Sequence, residues 1–579
     1  MAAVNGMDEE FDFVVVGSGG GSMCAGLFMR SADKSVVILE KTDMVGGTTA
    51  RSGGVMWIPN NRFMAEDGVE DSFQKSMTYM DATAGQSVDA PGTSPERRRA
   101  YVTEGPAMVD FLVKQGVRLR RIKEYPDYYD DRAGGSVPGR TVVAELFNAS
   151  ELGEWRKKLR PNFLQLPGSL DEFFFLGDYN KSWKGKYTVF KVGLRGALAK
   201  LTGKNWVTAG AALQGRMLQQ ALKKGVDIRL NSGVKSFIVE DGAVKGVVVN
   251  RDGRDVRIGA KLGVLVNAGG FAQNQEMRDK YIPGTSTEWT ATTPGDTGEM
   301  LRELMSLGAW TGQLNEMVGN QMAIPPGREN KNGNGLELST VSGQMDIANP
   351  HSILVDKSGV RYMNEGGSYM EFCQNMLKRN ETVPAVPSYW IVDEQFMKTY
   401  MFCGTFAGTA KPQEWYDKGF LRKADTLEEL AKLCGIDPAG LTATVDTFNA
   451  DARAGQDKVF HRGDRAYDKW LGDRHHRPSQ ALGTIEKGPF YACLVVPGDV
   501  GTYGGVVTDE NARVLRPDGS PITGLYATGT TTASVMGRIY PGAGASVGPS
   551  FTWGYVAAKH AANAQNWAGA ATPPGGARS

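Results

Sequence analysis

The apolar positions near the start of the chain follow a strand–helix–strand pattern. Phe11 to Val16 (FDFVVV) is a short, valine-rich run that suits a strand buried on both faces. A glycine-rich turn follows at once, and the small-residue stretch MCAGLFMR then predicts a helix. A second strand, Ser35 to Leu39, ends at Glu40. Together these elements predict a βαβ unit that ends in an acidic residue.

The turn of this unit has the chemistry of a dinucleotide site. Gly17 permits a tight turn, and Gly19 lets backbone N–H groups meet a pyrophosphate at the helix N-terminus. Glu40 follows Gly19 after about twenty residues, where its carboxylate can accept hydrogen bonds from the adenosine ribose. Ser22 stands where Gly or Ala is usual, and we expect it to loosen helix–strand packing slightly. The alternative is a plain α/β turn, but the complete unit favours the nucleotide site.

Later patterns indicate a second part of the same domain with an insertion before it. QGRMLQQALKKG predicts a helix, and VDIRL, KSFIVE and AVKGVVVNR predict strands with a hairpin turn at Asp241-Gly242. GVLVNAGG (Gly263 to Gly270) and GLYATG (Gly524 to Gly529) each predict a strand running into a glycine turn. Residues 285–487 lack such fingerprints and include helices such as TLEELAKLCG. We therefore predict a nucleotide-binding α/β domain from residues 1–284 and 488–579, with an α+β substrate domain from 285–487.

Composition narrows the class of protein. A chain of 579 residues is too long for one core, and its formal charge of +1 predicts no nucleic-acid partner. The five scattered cysteines form no CxxC pair, so neither a disulfide framework nor a metal site is expected. The acidic N-terminus is unlike a secretory signal, and no apolar stretch approaches the roughly 20 residues of a membrane-spanning helix. These features predict a cytoplasmic protein, and the tail TPPGGARS is expected to be disordered.

The segment after Glu40 carries a family resemblance. Gly46 to Gly54 (GGTTARSGG) resembles the segment along the pyrophosphate and flavin in the fumarate reductase and ketosteroid dehydrogenase superfamily, and GVLVNAGG and GLYATG follow in that superfamily's order. The resemblance implies a Rossmann-like FAD-binding domain. No histidine lies near the segment, so we expect non-covalent FAD. The implied cofactor residues are Gly17, Ser18, Gly19, Gly20, Gly21, Glu40, Lys41, Gly47, Thr48, Thr49, Ser52, Gly53, Gly54, Val234, Ala268, Gly269, Gly529, Ala545 and Val547.

Three further runs resemble the 3-ketosteroid Δ1-dehydrogenases. They are YPDYYD (from Tyr125), RYMNEGGSYMEF (from Arg361) and GRIYPGAGASVGPSFTWGYVAAKHAA (from Gly537). The resemblance implies FAD-dependent 1,2-desaturation of a 3-ketosteroid, with an external electron acceptor. It also implies that Tyr369 is the base for the C2 proton, that Tyr540 and the backbone N–H of Gly544 form the oxyanion site, and that Tyr128 tunes Tyr369.

The chemistry leaves some assignments open. Desaturation beside a ketone requires a base at C2, donors for the carbonyl oxygen, and flavin N5 to accept the C1 hydride. A tyrosine has a free pKa of about 10, so its surroundings must either lower that pKa or relay the proton away. Tyr125 and Tyr129 compete with Tyr128. Tyr362 competes with Tyr369, although its segment GVRYMNE recurs across the wider superfamily.

Other functions remain as alternatives. A fumarate reductase needs arginine and histidine to bind two carboxylates, and residues 362–378 contain neither. A ketosteroid Δ4-(5α)-dehydrogenase acts on the same ring, and only the YPGAG turn favours Δ1. A membrane-docked flavin electron carrier without substrate turnover is the alternative from another class.

A basic aromatic stretch at residues 181–206 departs from smaller members of the family. If residues 184–204 are helical, five apolar side chains fall within an arc of roughly 80°. These side chains are Tyr187, Phe190, Leu194, Leu198 and Leu201. Two interpretations stay open, because the helix could lie on the inner face of the membrane or pack its apolar side on the protein itself. Membrane contact would suit a sterol-derived ketone such as cholest-4-en-3-one. The glycines of this stretch weaken any helix.

Overall fold

The structure is a computed structural model that describes residues 6–563 apart from 165, 252 and 328–340. The tail TPPGGARS, for which disorder is expected, lies outside the described residues. The strands are β1 Glu9–Val16, β2 Val36–Leu39, β3 Val55–Trp57, β4 Leu119–Arg121, β5 Thr141–Ala144, β6 Phe147–Asn148, β7 Trp206–Val207, β8 Asp227–Arg229, β9 Val234–Glu240, β10 Ala243–Arg251, β11 Arg254–Val266, β12 Thr311–Gly312, β13 Met317–Ala323, β14 Val341–Ser342, β15 Ser352–Val355, β16 Ser388–Asp393, β17 Leu421–Ala424, β18 Phe490–Thr502, β19 Gly505–Val506, β20 Arg513–Leu515 and β21 Pro521–Ala527. The α-helices are α1 Gly20–Ser31, α2 Gly47–Arg51, α3 Arg62–Glu66, α4 Phe73–Ala82, α5 Pro95–Lys114, α6 Leu170–Leu176, α7 Trp183–Thr202, α8 Ala209–Lys223, α9 Gln275–Tyr281, α10 Glu299–Ser306, α11 Gln344–Ile347, α12 Tyr369–Asn380, α13 Glu394–Thr399, α14 Gln413–Asp417, α15 Leu427–Cys434, α16 Pro438–Ala454, α17 Ala466–Leu471 and α18 Val547–Asn563.

The largest sheet contains the predicted βαβ unit. Its strands run in the order β20-β21-β11-β1-β2-β8, with β10 and β9 added beside β11. The valines of β1 are buried because this strand lies parallel between β11 and β2. Asp241 and Gly242 join β9 to β10 with φ of 51° and 74°, which confirms the hairpin. The predicted α/β fold is therefore confirmed, and the parallel strands bring the loops after β1, β11 and β21 to one edge.

A second, antiparallel sheet forms a separate layer. Its order is β14-β13-β18-β16-β15, with β17 on β18. Helix α12 packs on β13, where Gly319 lets Cys373 approach closely: a Cβ added at Gly319 would lie 2.5 Å from the Cβ of Cys373. This packing places Tyr369, the first residue of α12, at the end of the layer. The division of the chain at residues 284 and 487 stays a prediction.

Residues Trp183–Thr202 of the basic aromatic stretch form α7, so the condition on which the apolar arc depends holds as far as Thr202. The hydroxyl of Ser182 accepts a hydrogen bond from the N–H of Gly185 at 3.0 Å, and the helix ends at Gly203 with φ of 66°. Helix α6 packs beside it, and Arg195 binds the carboxylate of Glu172 at 2.7 and 3.0 Å. These caps and ion pairs offset the low helix propensity of the glycines.

A buried ion cluster ties the loop after β4 to an early segment. The guanidinium of Arg140 donates to Asp71 at 2.7 and 2.9 Å and to Asp127 at 2.5 Å. All three side chains are at most 1% exposed. Asp127 also accepts a hydrogen bond from the indole N–H of Trp57 at 2.8 Å. The cluster therefore holds the run from Tyr125 to Asp130 against β3.

Replacing Arg140 tests this constraint. Arg140→Met leaves two buried carboxylates without their cation, so we expect the free energy of unfolding to fall by about 3–5 kcal/mol. The matched control is Arg62→Met, which breaks an exposed pair with Glu66 and should cost about 0–1 kcal/mol. Urea unfolding of both variants checks the difference. Equal losses would contradict the role given to Arg140.

Candidate active site

The glycine turns after β1, β11 and β21 meet around Asn267. Gly17 has φ of 91°, and a Cβ added there would lie 2.3 Å from the carbonyl oxygen of Asn267. Gly529 has φ of 66°, and its added Cβ would lie 2.3 Å from Oδ1 of the same residue. Only glycine fits both positions. Sequence reasoning missed Asn267; the only available signal was a polar residue directly after a buried strand.

Ser22 takes part in the same junction. It is fully buried, and its hydroxyl accepts a hydrogen bond from the side-chain amide of Asn267 at 3.0 Å. We expected Ser22 to loosen the packing of helix and strand. Instead, its hydroxyl links α1 to the loop after β11.

The N-terminus of α1 faces the GGTTARSGG segment. Gly19 caps the helix with no side-chain hydrogen bond, and the N–H of Gly20 reaches Thr49 Oγ1 at 3.4 Å. A Cβ added at Gly47 would lie 3.6 Å from the Cα of Gly19, so the two glycine loops lie face to face. Backbone donors and the positive end of the helix dipole meet here, which suits a pyrophosphate.

Glu40 lies at the end of β2, as the fingerprint requires. Its carboxylate is buried and accepts hydrogen bonds from Ser18 Oγ at 2.5 Å and the N–H of Thr42 at 2.9 Å. The ammonium group of Lys41 pairs with the carboxylate of Glu299 at 2.7 Å. Gly233, which directly precedes Val234, lies beside Lys41, because a Cβ added at Gly233 would lie 3.3 Å from the Cβ of Lys41.

The remaining predicted cofactor residues line the same edge of the sheet. Thr48, Ser52, Gly53 and Gly54 lie in α2 and the turn after it; Gly20 and Gly21 begin α1; Ala268 and Gly269 follow β11; Ala545 lies in the turn before α18, and Val547 begins that helix.

Buried polar atoms beside this cradle fit a polar cofactor. Oδ1 of Asp296 has no hydrogen-bond partner among the described residues, and it would lie 2.3 Å from a Cβ added at Gly269. Burial raises the pKa of Asp296 to about 7. Both polar atoms of the Gln214 amide are also without a hydrogen-bond partner in the described part of the chain. Gln214 lies beside the GGTTARSGG segment, since its Cβ would be 3.6 Å from a Cβ added at Gly46. A bound dinucleotide would supply partners for such groups, so the residues fit FAD.

The structure brings three of the predicted catalytic tyrosines together. The ring centroid of Tyr369 lies 4.9 Å from that of Tyr540 and 5.6 Å from that of Tyr128. The rings of Tyr128 and Tyr540 are 6.0 Å apart. Residues far apart in the sequence therefore form one cluster.

The turn that carries Gly544 lies against the same cluster. The N–H of Tyr128 donates to the carbonyl oxygen of Pro541 at 3.0 Å, and the N–H of Trp57 donates to that of Gly544 at 3.1 Å. Gly544 has φ of 97°, and an added Cβ would lie 2.4 Å from the carbonyl oxygen of Val55. The turn is thus held on both sides.

The rings of the competing tyrosines do not contact both Tyr369 and Tyr540. Tyr125 stacks behind Tyr128 with a hydroxyl separation of 3.5 Å. Tyr129 contacts the guanidinium groups of Arg132 and Arg465, at 4.6 and 5.1 Å from its ring centroid. The hydroxyl of Tyr362 is hydrogen-bonded to Ser388 at 2.5 Å. Of the competitors, Tyr128 is the one whose ring contacts both Tyr369 and Tyr540.

Further aromatic residues extend the cluster, and sequence reasoning missed them. Tyr467 stacks on Tyr128 at 4.1 Å, and its hydroxyl accepts a hydrogen bond from Gln344 at 2.8 Å. Trp470 lies 4.1 Å from Tyr125 and 4.7 Å from Phe174 of α6. Tyr467 and Trp470 are three residues apart, a spacing that is typical of any buried helix face. Only the tertiary contacts associate them with the site.

Burial raises the pKa of every tyrosine in the cluster. The pKa of Tyr369 lies well above its ordinary value because of burial and of the nearby Tyr540. Burial raises the pKa of Tyr540 to about 12, although interactions with Tyr369 and with the backbone of Ser546 and Gly544 oppose the shift. Burial therefore disfavours the ionised form of both phenols in the cluster.

Comparisons with known proteins agree with this geometry. Residues 12–547 match the family model described as FAD binding domain. The chain is 38% identical to the 3-oxosteroid 1-dehydrogenase of Mycobacterium tuberculosis, covering 96% of this chain and 99% of the relative. It is 34% identical to the 4-oxocyclohexanecarboxylate 2-dehydrogenase of Sinomonas cyclohexanicum, covering 95% and 92%. The crystal structure of 3-ketosteroid Δ1-dehydrogenase from Sterolibacterium denitrificans with 1,4-androstadiene-3,17-dione superimposes with a TM-score of 0.88, at 34% identity and covering 96% and 99%.

A glycine substitution tests the cradle. Gly17→Ala forces a Cβ onto Asn267 at a positive φ, so we expect FAD binding to weaken by about 5- to 150-fold, in line with about 1–3 kcal/mol of strain. Gly193→Ala is the control, since an added Cβ there meets nothing within 4 Å. The ratio of flavin to protein absorbance after dialysis measures the loss. Full flavin content in Gly17→Ala would refute the assignment.

Proposed function

Because the chain belongs to the FAD binding domain family and, within it, to the 3-oxosteroid 1-dehydrogenases, we propose that it desaturates the C1–C2 bond of a 3-ketosteroid. It is an FAD-dependent oxidoreductase. The observation that supports the reaction best is the meeting of Tyr369, Tyr128 and Tyr540 beside the turn of Gly544. Turnover requires an external electron acceptor.

Each residue has a role in this proposal. Tyr369 takes the proton from C2, and Tyr540 with the backbone N–H of Gly544 binds the C3 oxygen, which acidifies C2. Tyr128 packs against both phenols and orients Tyr369. FAD, when bound, supplies the acceptor for the hydride from C1. The surrounding aromatic side chains exclude water and suit an apolar ring system.

An anaerobic titration tests the function and the base together. We expect a 3-keto-4-ene steroid to bleach the flavin and to yield the 1,4-diene. Tyr369→Phe should slow bleaching by about 10²–10⁴-fold while steroid binding is kept, because the proton acceptor is lost. Tyr362→Phe is the control and should keep the rate, since its hydroxyl is bonded to Ser388.

The other arms of this titration separate the rival functions. A 4-oxocyclohexanecarboxylate that bleaches the flavin faster than the steroid would contradict a steroid substrate. A product desaturated at C4–C5 would contradict the Δ1 assignment. No bleaching by any ketone would favour an electron carrier.

We also propose that α7 contacts a membrane surface. Its apolar side chains face outward rather than into the protein, and Trp183, Phe190 and Leu201 are 84%, 66% and 83% exposed. Lysines flank this apolar face, as in helices that lie at a bilayer interface. No helix of the described residues is long and apolar enough to span a membrane.

The position of the insert connects this surface to the substrate. Phe174 of the neighbouring α6 contacts Trp470 and Tyr125, with ring centroids 4.7 and 5.7 Å apart. Tyr125 in turn stacks on Tyr128. Ketones with a long sterol side chain reside in membranes, so we propose substrates of the cholest-4-en-3-one type, drawn from the bilayer beside α7.

Point substitutions test the membrane contact without removing the helix. The triple variant Trp183→Ser, Phe190→Ser and Leu201→Ser removes apolar area that would enter the bilayer, so we expect at least tenfold weaker co-sedimentation with anionic liposomes. The control replaces Val88, Leu433 and Val459 by serine, since these side chains are also exposed but lie outside the insert. Equal co-sedimentation of both variants would contradict the proposal.

A further inference from the structure

We propose that helices α6 and α7 form a lid (residues 170–202) that swings as one body over the tyrosine cluster, and that ion pairs with the turn after α17 latch this lid shut. The inference rests on the proposed function and specifies how a ketosteroid enters and leaves that site. The route opens where two aromatic side chains part at the inner face of the lid.

The two helices of the lid are fastened to each other. The carboxylate of Glu172 on α6 binds Arg195 of α7 at 2.7 and 3.0 Å and Lys191 of α7 at 3.0 Å. Arg195 also donates to the carbonyl oxygen of Pro167, just before α6, at 2.5 Å. Each helix packs mainly on the other. The pair can therefore move together while its own contacts stay intact.

The lid has a small interface with the rest of the described chain. None of the seven residues of α6 is buried, and α7 buries only Gly185, Thr188 and Val192. The chain leaves for the lid and returns from it through paired strands, β6 and β7. Gly203 ends α7 with φ of 66°, and a Cβ added there would meet nothing within 4 Å. Neighbouring chain ends and few buried side chains allow such a unit to move without unfolding its surroundings.

The inner face of the lid closes on aromatic residues that lead to the tyrosine cluster. Phe174 of α6 meets Trp470 of α17 edge-on, with ring centroids 4.7 Å apart. Trp470 lies 4.1 Å from Tyr125, which stacks on Tyr128. Phe174 and Trp470 are partly exposed, whereas Tyr125 and Tyr128 are only 8% and 1% exposed. The contact between Phe174 and Trp470 is therefore the outer end of an aromatic path to the cluster.

Ion pairs hold the lid to the turn that follows α17. Lys181, in the connection between α6 and α7, binds the carboxylate of Asp473 at 2.9 Å. Asp178 of the same connection lies 3.5 Å from the guanidinium of Arg474 and 3.6 Å from the imidazole of His475. These three partners directly follow the helix that carries the closing tryptophan. The latch thus acts beside the aromatic contact that it keeps shut.

The strength of these pairs suits a latch that opens repeatedly. Two further pairs join the lid to an early segment of the chain, Asp171 with Arg120 at 2.5 Å and Lys184 with Glu124 at 3.9 Å. Both pairs are partly exposed, and pairs near solvent are weak and are screened by salt. Lys181 with Asp473 is the most sheltered pair, at 15% and 6% exposure, so we expect its loss to free the lid most.

Opening and closing have different consequences for the substrate. When the lid opens, Phe174 leaves Trp470, and the aromatic path is uncovered beside the outward apolar side chains of α7. When the lid closes, the same rings shut water out of the path to the phenols. The latch therefore separates entry of an apolar ketone from its reaction.

Hydrogen exchange on the unmodified holoenzyme tests the lid without any steroid. We expect the amides of α6 to exchange about tenfold faster when NaCl rises from about 0.1 M to about 1 M, because salt screens the latch. Lys181→Met should have the same effect at low salt. The control is Lys418→Met, which breaks an exposed pair with Glu414 and should leave exchange in α6 unchanged. Exchange in α6 that neither salt nor Lys181→Met accelerates would overturn the latch.

A reversible cross-link tests the passage of substrate. In the double variant Lys181→Cys with Asp473→Cys, a short bis-thiosulfonate reagent ties the lid to the turn after α17; the native cysteines are buried. We expect anaerobic flavin bleaching by a 3-keto-4-ene steroid to slow by about tenfold or more until a reductant releases the link. The control is Glu172→Cys with Lys191→Cys, in which the same link joins α6 to α7 only and should keep the rate.

The outcomes separate the lid from the reaction. Equal bleaching rates in the linked and released forms would refute the lid and leave the proposed function standing. Absence of bleaching in the unmodified enzyme would refute the proposed function, and hydrogen exchange in α6 would then decide the lid by itself.

Discussion

The ion cluster of Arg140 with Asp71 and Asp127 is the interaction on which the active site depends. Three charges at most 1% exposed are stable only while they remain together, so the loop that carries Asp127 cannot move without uncovering an unpaired charge. Asp127 accepts a hydrogen bond from the indole N–H of Trp57, and the backbone N–H of Trp57 donates to the carbonyl oxygen of Gly544. Tyr128, the next residue, is therefore held beside the turn that contains Tyr540. The position of Tyr128 therefore depends on buried ion pairs that lie outside the tyrosine cluster.

The same turn connects the phenols to the cofactor cradle. Only a few residues separate Tyr540 from α18, which begins at Val547 and packs against α1. The N–H of Gly548 donates to Gly544 at 2.8 Å, so the turn and the helix move as one unit. A ketone bound at Tyr540, as we propose, would thus be placed relative to the cofactor by rigid secondary structure, as a hydride transfer requires.

The insert and the tyrosine cluster differ in exposure and in charge. Helix α7 presents apolar side chains outward, while Lys181 anchors the start of the insert to Asp473 at 2.9 Å, near Trp470 and Tyr467. The inner cluster is aromatic and poor in charge. Such surroundings suit the apolar ring system of the proposed steroid substrate.

The sequence by itself determined the local elements and the cofactor fingerprint: the βαβ unit, the hairpin at Asp241-Gly242 and the glycine turns. These depend on periodicity and backbone preference over short stretches, which a sequence displays directly. Motif resemblance also singled out Tyr369 and Tyr540. The same resemblance named Tyr128, with Tyr125 and Tyr129 as competitors. Only the tertiary structure put the ring of Tyr128 against both Tyr369 and Tyr540, added Asn267, Tyr467 and Trp470, and turned the apolar face of α7 outward. Those outcomes depend on contacts between segments hundreds of residues apart, and on burial that no local pattern encodes.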